Sequence, residues 1–512
     1  RDNTKIISTA LKGTSQEKIL LICFLTVFSL LAVPISAQQV LTLEECRKMA
    51  LEQNKKIRMA KEDAQMACLA KKAAATKYLP SISLNGGYLR TNKTLKPFGN
   101  DLFLPVVPFN SIDPQTGEFN PASLQDPATA LNTLVINPQT GQPLLDASGN
   151  PVFKNYALLP SDKLVFGNKN SYYTRLSVNQ PLFTGFKITE ANKIAQHAEN
   201  IAKENVVLTQ AEVLVKTDEA YWRTISLQEK VRLANSYEIL LNQLVADLEN
   251  MYTEGIITRN DLLKAQVSQN EAKLKVMKAE NGLALSKMAL AQIIGTEDED
   301  ITLSEKAIDK DLSVAYSTIT SENPIDKRAE IIMLKEKLAI TESGKNIERS
   351  KFMPDILLTG GYGWMNPNPY NGLKKEFGGD WSIGVVVSMP IFTWGERKHN
   401  LNTAHIKKRK VQLELDEARE MIDLQIRQNR YKYNESIRKA ELTQLSKAQA
   451  EENMKIAKEN LLEGRTRLTE LLEAQVQWEN ASSEYIDALI EIKTTRSELE
   501  KSTGEIYKYV GN

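Results

Sequence analysis

Pro181-Leu182-Phe183-Thr184 recurs 209 residues later as Pro390-Ile391-Phe392-Thr393, and that recurrence sets the reading of the whole chain. Outward from it the offset stays constant. Gly255 falls on Gly464, Leu262-Leu263-x-Ala265-Gln266-Val267 on Leu471-Leu472-x-Ala474-Gln475-Val476, and Gly295 on Gly504. A second block, at offset 274, sets Leu79-Pro80-Ser81-Ile82 through Gly86-Gly87-Tyr88 against Met353-Pro354-Asp355-Ile356 through Gly360-Gly361-Tyr362. A chain of 512 residues would otherwise suggest three or so domains. Internal self-similarity implies one architecture used twice.

Each copy holds short segments with period two. Ile82, Leu84, Gly86 and Tyr88 oppose Ser81, Ser83, Asn85 and Gly87, and Leu176 and Val178 oppose Arg175, Ser177 and Asn179. In the second copy Ile356, Leu358, Tyr362 and Trp364 oppose Leu357, Thr359, Gly361 and Gly363. Trp381, Ile383, Val385, Val387 and Met389 oppose Ser382, Gly384, Val386 and Ser388. Four strands, apolar on one face and small or polar on the other, carry the pattern of a transmembrane β-barrel; a soluble, half-buried sheet has the same alternation. Four strands are too few to close a membrane barrel, so spanning strands require several chains to share one.

Helix fills most of the rest. Leu43 to Tyr78 lacks Pro and Gly and reads as one helix ended by Pro80. Phe183 to Gly255 has no internal Pro and as one helix would be roughly 105 Å long. A returning helix runs from Asp261 to about Ile294. On it Ala272, Val276, Ala279, Leu283, Ser286, Leu290 and Ile293 recur at spacings of 4 and 3, a coiled-coil seam matched by Ala481, Tyr485, Ala488, Ile492, Thr495, Leu499 and Ser502. The returning helix and the helix before the first strand, placed end to end, match the length of one long helix. A mid-height linker is expected at 296–323.

The first 37 residues read as a cleaved signal peptide: Lys12 and Lys18, the apolar run Ile19–Val33, then Ser36-Ala37. The alternative is a membrane anchor, for which the run is short. The expected organisation is then a first repeat at 38–295, a second at 324–504 and a C-terminal tail at 505–512. Between the first two strands, 94–167 has no counterpart in the second copy. It holds two related turn units, Ile112-Asp113-Pro114-Gln115-Thr116-Gly117 and Ile136-Asn137-Pro138-Gln139-Thr140-Gly141, and a third turn at Asp146–Pro151, so it reads as a loop with its own hairpins. Cys46 and Cys68 read as packing residues on one helix. The formal net charge of +1 gives no electrostatic case for a nucleic-acid partner. His197, His399 and His405 are the only histidines, and no catalytic, metal-binding or phosphate-cradling motif is present, so neither enzyme activity nor a cofactor or metal is expected.

The arrangement resembles the TolC-like outer-membrane efflux proteins across essentially the whole mature chain. The residues that carry the resemblance are Pro80 and Pro354 before strands, Pro181 and Pro390 with their Phe-Thr after strands, and the Gly-centred hairpin tips. The resemblance implies a mixed α and β fold. Three copies would form a homotrimer, with four strands per chain closing a shared 12-stranded barrel in outer-membrane lipid and antiparallel coiled-coil helices continuing it as a periplasmic α-barrel. The implied function is a passive exit duct of an efflux or secretion system in a Gram-negative bacterium, docked by a periplasmic adaptor protein and driven by an inner-membrane transporter. The other reading is a periplasmic coiled-coil structural or binding protein without a pore.

Two tips are the candidate sites. Gly255, Ile256, Ile257 and Thr258, with Gly464, Arg465, Thr466 and Arg467, would meet the adaptor. Glu470 and Glu473 share a helical face at i and i+3; by the residues alone that face is a solvated coiled-coil surface or an acidic aperture. The family places acids at these offsets from the tip Gly, which implies an aperture lined by Glu470, Glu473 and Asp261. Its best-known member has Asp at both Glu positions, Tyr at the position of Leu461 and Arg at that of Thr466, so its particular bonds do not carry over. Arg465 or Arg467 is expected to supply a cation to Asp261 on the neighbouring hairpin.

Overall fold

The computed structural model describes residues 40–93, 96, 98–163, 169–297, 301–304 and 325–510. The expected signal peptide lies outside them, as do most of the expected linker and both end residues of the 94–167 loop. The chain divides into a helical unit, which takes in residues up to 74 with 189–347 and 398–512, and a sheet unit of 75–188 and 348–397.

The sheet unit is a four-stranded antiparallel sheet in the order β2-β5-β7-β8, of β2 (Ser81–Arg90), β5 (Asn170–Thr184), β7 (Asp355–Asn366) and β8 (Gly378–Ser388). One register row runs Asn85–Arg175–Gly363–Asp380 and the next Ser83–Ser177–Gly361–Ser382. The alternate rows, Leu84–Leu176–Tyr362–Trp381 and Ile82–Val178–Gly360–Ile383, form the apolar face. That face is bare: Ile82 is 68% exposed, Trp381 73% and Ile383 69%. β2 and β8 are unpaired on their outer sides among the described residues.

Pro181 does not end its strand as the sequence suggested. β5 continues to Thr184, with a register shift between Pro181 and Phe183. The shift accommodates a residue that cannot donate to a ladder, and the β2 partner has already ended at Ser81, opposite Asn179. Pro390 does stand beyond its strand, since β8 stops at Ser388. Both junctions then turn through left-handed backbone, at Gly185 and Phe186 (φ +57° and +70°) and at Trp394 and Gly395 (φ +51° and +86°).

Inside the 94–167 insertion, bridges Ile112–Phe119 and Ile136–Pro143 close the two related turn units, and Leu145–Pro151 closes the third. Asp113, Asn137 and Asp146 each accept a backbone N–H two residues on, the side-chain mimicry that makes Asx residues turn formers. A short ladder of β3 (Leu102–Pro105) with β4 (Tyr156–Leu159) and a helix, α3 (Pro127–Thr133), were not legible in the sequence.

The helical unit begins with β1 (Val40–Leu41), α1 (Leu43–Gln53) and α2 (Lys55–Ala75). The expected single helix from Leu43 to Tyr78 is therefore corrected to two, so Cys46 and Cys68 lie on different helices. The break is at Asn54, whose backbone is extended (ψ 126°) and whose Oδ1 accepts the Lys56 N–H at 2.9 Å. Asn competes with helical bonding through such local bonds. Then come α4 (Lys187–Thr253), α5 (Arg259–Ile294), β6 (Thr302–Leu303), α6 (Ala329–Ser350), α7 (Glu396–Leu462) and α8 (Leu468–Thr503). The long helices have 67 residues each and the returning ones 36 each, about 100 Å and 54 Å. The long helix begins at Lys187 rather than Phe183 because β5 occupies the residues before it.

The returning helices end against the start of the shorter segments. Asn54 Nδ2 donates to the Ile293 carbonyl at 2.8 Å, and Arg328 Nη1 donates to the Ser502 carbonyl at 3.1 Å. Asn54 and Arg328 are separated by the 274 offset, Ile293 and Ser502 by the 209 offset, so equivalent orphan carbonyls are satisfied at equivalent places. Gly295 and Gly504 terminate both helices in left-handed backbone, each at φ +79°.

Of the expected seam, Ala272, Ser286 and Leu290 are buried in the first copy, with Ile294 in place of Ile293; Tyr485, Ala488, Ile492, Leu499 and Ser502 are buried in the second. The largest core joins α1, α2, α4 and α5 through Cys46, Ala50, Ile57, Tyr221, Trp222, Leu290 and Ile294. At its side Arg47 Nε and Nη2 grip both oxygens of the fully buried Asp218, at 2.7 and 2.6 Å, and the Ser497 hydroxyl donates to the same carboxylate at 2.7 Å. The segment expected as a tail folds back as a 3-10 turn, Glu505–Tyr509, with Ile506 fully buried against Ala211, Leu214 and Val215.

Candidate functional site: the two hairpin tips

Both hairpins reverse on a left-handed glycine, Gly255 at φ +72° and Gly464 at φ +69°. The wrap is the same in each. Ile256 N–H donates to the Met251 carbonyl at 2.9 Å and Arg465 N–H to the Asn460 carbonyl at 2.8 Å, the six-to-one bond that satisfies orphan carbonyls after a helix. Beneath the turns, Leu241, Leu248, Ala265, Leu468 and Leu471 form one core joining the two hairpins, with the half-buried Ile257 and Leu461 against it. Gly255, Ile256, Thr258, Gly464, Arg465 and Arg467 stand exposed, and Thr466 half-buried.

The chemistry after each turn differs, and the 209 offset shows how. Thr258, Asp261 and Lys264 correspond to Arg467, Glu470 and Glu473. In the first tip Thr258 is an N-cap: its hydroxyl accepts from Asp261 N–H and donates to Asp261 Oδ2 at 2.6 Å, while Lys264 Nζ lies 3.7 Å from the same carboxylate. In the second tip Arg467 occupies the cap position without a side-chain cap bond, and Thr466 instead donates to Glu470 Oε2. Glu473 has no lysine at the next turn to answer it. The first tip is locally neutralised and the second carries two exposed carboxylates. The offset held this contrast, though reading each tip separately hid it.

The expected pairing of Arg465 or Arg467 with Asp261 is not what one chain forms. Arg465 Nη1 pairs with Glu463 at 2.9 Å, and Asp261 is held by Thr258 and Lys264. A partner that the sequence did not suggest belongs to His197, whose Nδ1 lies 2.6 Å from Glu336 Oε2 within the helical unit. Among the described residues no group of His, Cys, Asp and Glu could hold a metal ion, and no helix is long and apolar enough to cross a membrane.

The chain thus combines long paired helices, an open four-stranded sheet with a bare apolar face, and hairpin tips of unlike charge. The family model for outer membrane efflux proteins matches residues 155–296 and 330–505, and the chain belongs to that family. It is a family of transport channels, not of enzymes. The chain is similar to the alkaline protease secretion protein AprF of Pseudomonas aeruginosa, 25% identical over 272 residues, which is 52% of this chain and 55% of that one. It is also similar to the outer membrane efflux protein BepC of Brucella suis, 23% identical over 252 residues, 48% and 53% of the two chains. The chain thus spans about half the length of the curated relatives it matches. Among solved structures, the Campylobacter jejuni CmeC outer membrane channel superposes with a TM-score of 0.67 at 16% identity, covering 90% of this chain and 85% of that one. The Vibrio cholerae outer membrane protein VceC does so with 0.64 at 14%, covering 90% and 96%. At such identities the likeness is one of fold.

Proposed function

We propose that three copies of this chain form a passive exit duct through the outer membrane and periplasm of a Gram-negative bacterium. The observation that carries the reading is the sheet: four strands, both edges open, one face apolar and bare. Open edges and exposed apolar surface are costly in water and demand partners. Edge-to-edge joining of β8 to the β2 of the next copy removes the edges, and lipid covers the apolar face. Twelve strands result from three copies. Ile391, Phe392 and Trp394, 91%, 70% and 88% exposed, follow β8 and suit the membrane interface.

The helical unit supports self-association independently. Leu263, Val267, Leu274, Met277 and Met288 on α5 lie exposed on one heptad stripe. Met421, Leu424, Tyr431, Leu442, Leu445 and Ile456 lie on another along α7. Such stripes are coiled-coil seams lacking their second helix. Paired between copies, they continue the barrel as an α-helical tunnel.

The repeats at 38–295 and 324–504, with the signal peptide at 1–37 and the linker at 296–323, are the parts of this design. Glu470 and Glu473, with Asp261, line the periplasmic aperture, and the turns at Gly255 and Gly464 receive a periplasmic adaptor that couples the duct to an inner-membrane transporter. The names of the two relatives speak of protease secretion and of efflux, and an unobstructed duct serves either. The test is single-channel conductance in planar bilayers, wild type against Glu470→Gln/Glu473→Gln. Cation-selective openings that lose selectivity in the variant support the aperture. Openings with unchanged selectivity refute it and leave the duct. Soluble monomeric protein in the periplasmic fraction refutes the duct.

A further inference from the structure

The middle of the polar face of the sheet carries small uncharged groups, Ser83, Asn85, Gly87, Ser177, Asn179, Thr359, Gly361, Gly363, Ser382 and Gly384, with Tyr173, Leu357, Met365 and Val386 on the same face nearer its ends. Two charged groups stand in one row of that face, Arg175 in the middle of β5 and Asp380 on β8. Arg175 Nη2 donates to the Ser382 hydroxyl at 2.8 Å, so the side chain crosses β7 to reach β8. Two glycines leave that route open. A Cβ on Gly361 would lie 3.5 Å from Arg175 Nε and 2.6 Å from the Leu176 carbonyl, and one on Gly363 would lie 4.0 Å from Arg175 Cγ. The guanidinium is exposed and no carboxylate among the described residues lies within ion-pair distance of it. Asp380, in the same register row, accepts the Tyr370 hydroxyl at 2.5 Å.

We propose that Arg175 is a solute-facing cation inside the barrel, a selectivity element that favours solutes bearing carboxylate, phosphate or sulfate groups. The inference rests on the proposed duct, because only closure of the sheet turns its polar face into a lumen. Three copies then set three guanidiniums at one height, each extended flat along the wall and anchored at one nitrogen. Its remaining N–H groups are free to meet a passing anion, for which the guanidinium fork is well shaped. The acidic tips and this ring have opposite signs and act at different places.

The test uses adjacent residues that point to opposite faces. Gly384, with no atom within 4 Å of an added Cβ, lies on the polar face, and Ile383 on the apolar one. Gly384→Cys and Ile383→Cys are made in the full chain carrying Cys68→Ser; Cys46 is fully buried. Intact cells are treated with membrane-impermeant anionic or cationic methanethiosulfonates. Gly384→Cys is expected to react and Ile383→Cys to be protected. A charge about 8 Å from the thiol shifts the anionic-to-cationic rate ratio about two- to six-fold between screened and unscreened limits, so Arg175→Gln should lower the ratio by that factor and Arg175→Lys should preserve it. An unchanged ratio in Arg175→Gln refutes the role of Arg175 and leaves the barrel standing. No reaction at Gly384→Cys with either reagent also overturns the proposal. Equal labelling of Ile383→Cys and Gly384→Cys refutes the barrel itself. If Arg175→Gln does not assemble, Ser177→Asp places a carboxylate on the same face and must lower the ratio; an unchanged ratio there overturns the proposal.

Discussion

Removing Asp218 should destabilise the helical unit more than any other single polar deletion. Its carboxylate is fully buried and holds Arg47 through two bonds of 2.7 and 2.6 Å and Ser497 through a third of 2.7 Å. Arg47 is 8% exposed and lies over the Tyr509 ring at 4.6 Å. Burial opposes the guanidinium charge, and the Asp218 bonds and charge overcome that, holding Arg47 well above its ordinary range. Asp218→Ala therefore strands a cation away from water at a cost of about 3–5 kcal/mol. Over a cooperative unit of about 300 residues that is roughly 5–8 °C in Tm. Arg47→Met/Asp218→Leu removes both charges and should recover more than half of the loss, because apolar replacement of a whole buried pair is often near neutral. The assay is thermal melting by far-UV circular dichroism in detergent, at one scan rate, for the two single variants and the double. A loss below about 1 kcal/mol for Asp218→Ala would refute the reasoning, as would a double variant no better than the singles.

Other outcomes follow from the same geometry. Gly464→Ala should cost about 1 kcal/mol through its left-handed backbone alone, whereas Gly295→Ala should lower Tm further, because its Cβ would also stand 2.8 Å from Gln53 Cβ. Burial pushes the Glu330 carboxyl up, but the bonds and charge of Arg328 outweigh it and leave it below its ordinary 4.5. Its contribution is thus complete above 4.5 and lost as pH falls through the depressed value. Glu330→Gln should lower Tm near neutral pH and leave it little changed in strong acid; equal losses at both would count against the ion pair. Lys264→Glu gives the first tip the two-carboxylate face of the second, and bilayer recordings should show a reversal potential shifted further toward cations.

Much of the architecture was legible because period and punctuation were both strong. Alternation from Ile82 to Tyr88 and from Trp381 to Val387 could not be read as helix, and the Asx-Pro-Gln-Thr-Gly units specified their turns locally. What escaped depended on tertiary partners. Asn54 breaks a run that composition alone makes helical, and its Nδ2 bond goes to a carbonyl 239 positions away. Pro181 stays within a strand because its neighbour on one side has already ended. The β3–β4 ladder and the docking of Ile506 left no periodic trace. At the tips the glycine reversals were legible, but which carboxylate is neutralised depends on Lys264, the variable position of the Leu-Leu-x-Ala repeat.

The two rims of the sheet are unlike each other, one supplied by β2 and the other by β8. In the proposed three-copy duct the joint is between unlike rims and so directional: each subunit would accept at one side and offer at the other. Nothing in such a joint counts subunits. Either curvature brings the last rim back to the first, or growth continues as an open ribbon. A subunit with proline at Val385 could still be joined through β2 yet present a blunted rim at β8. It would act as a chain terminator, and in mixed expression the share of sound rings of three would fall as the cube of the sound subunits. Loss of one β8 hydrogen-bonding position would then behave genetically as a dominant defect.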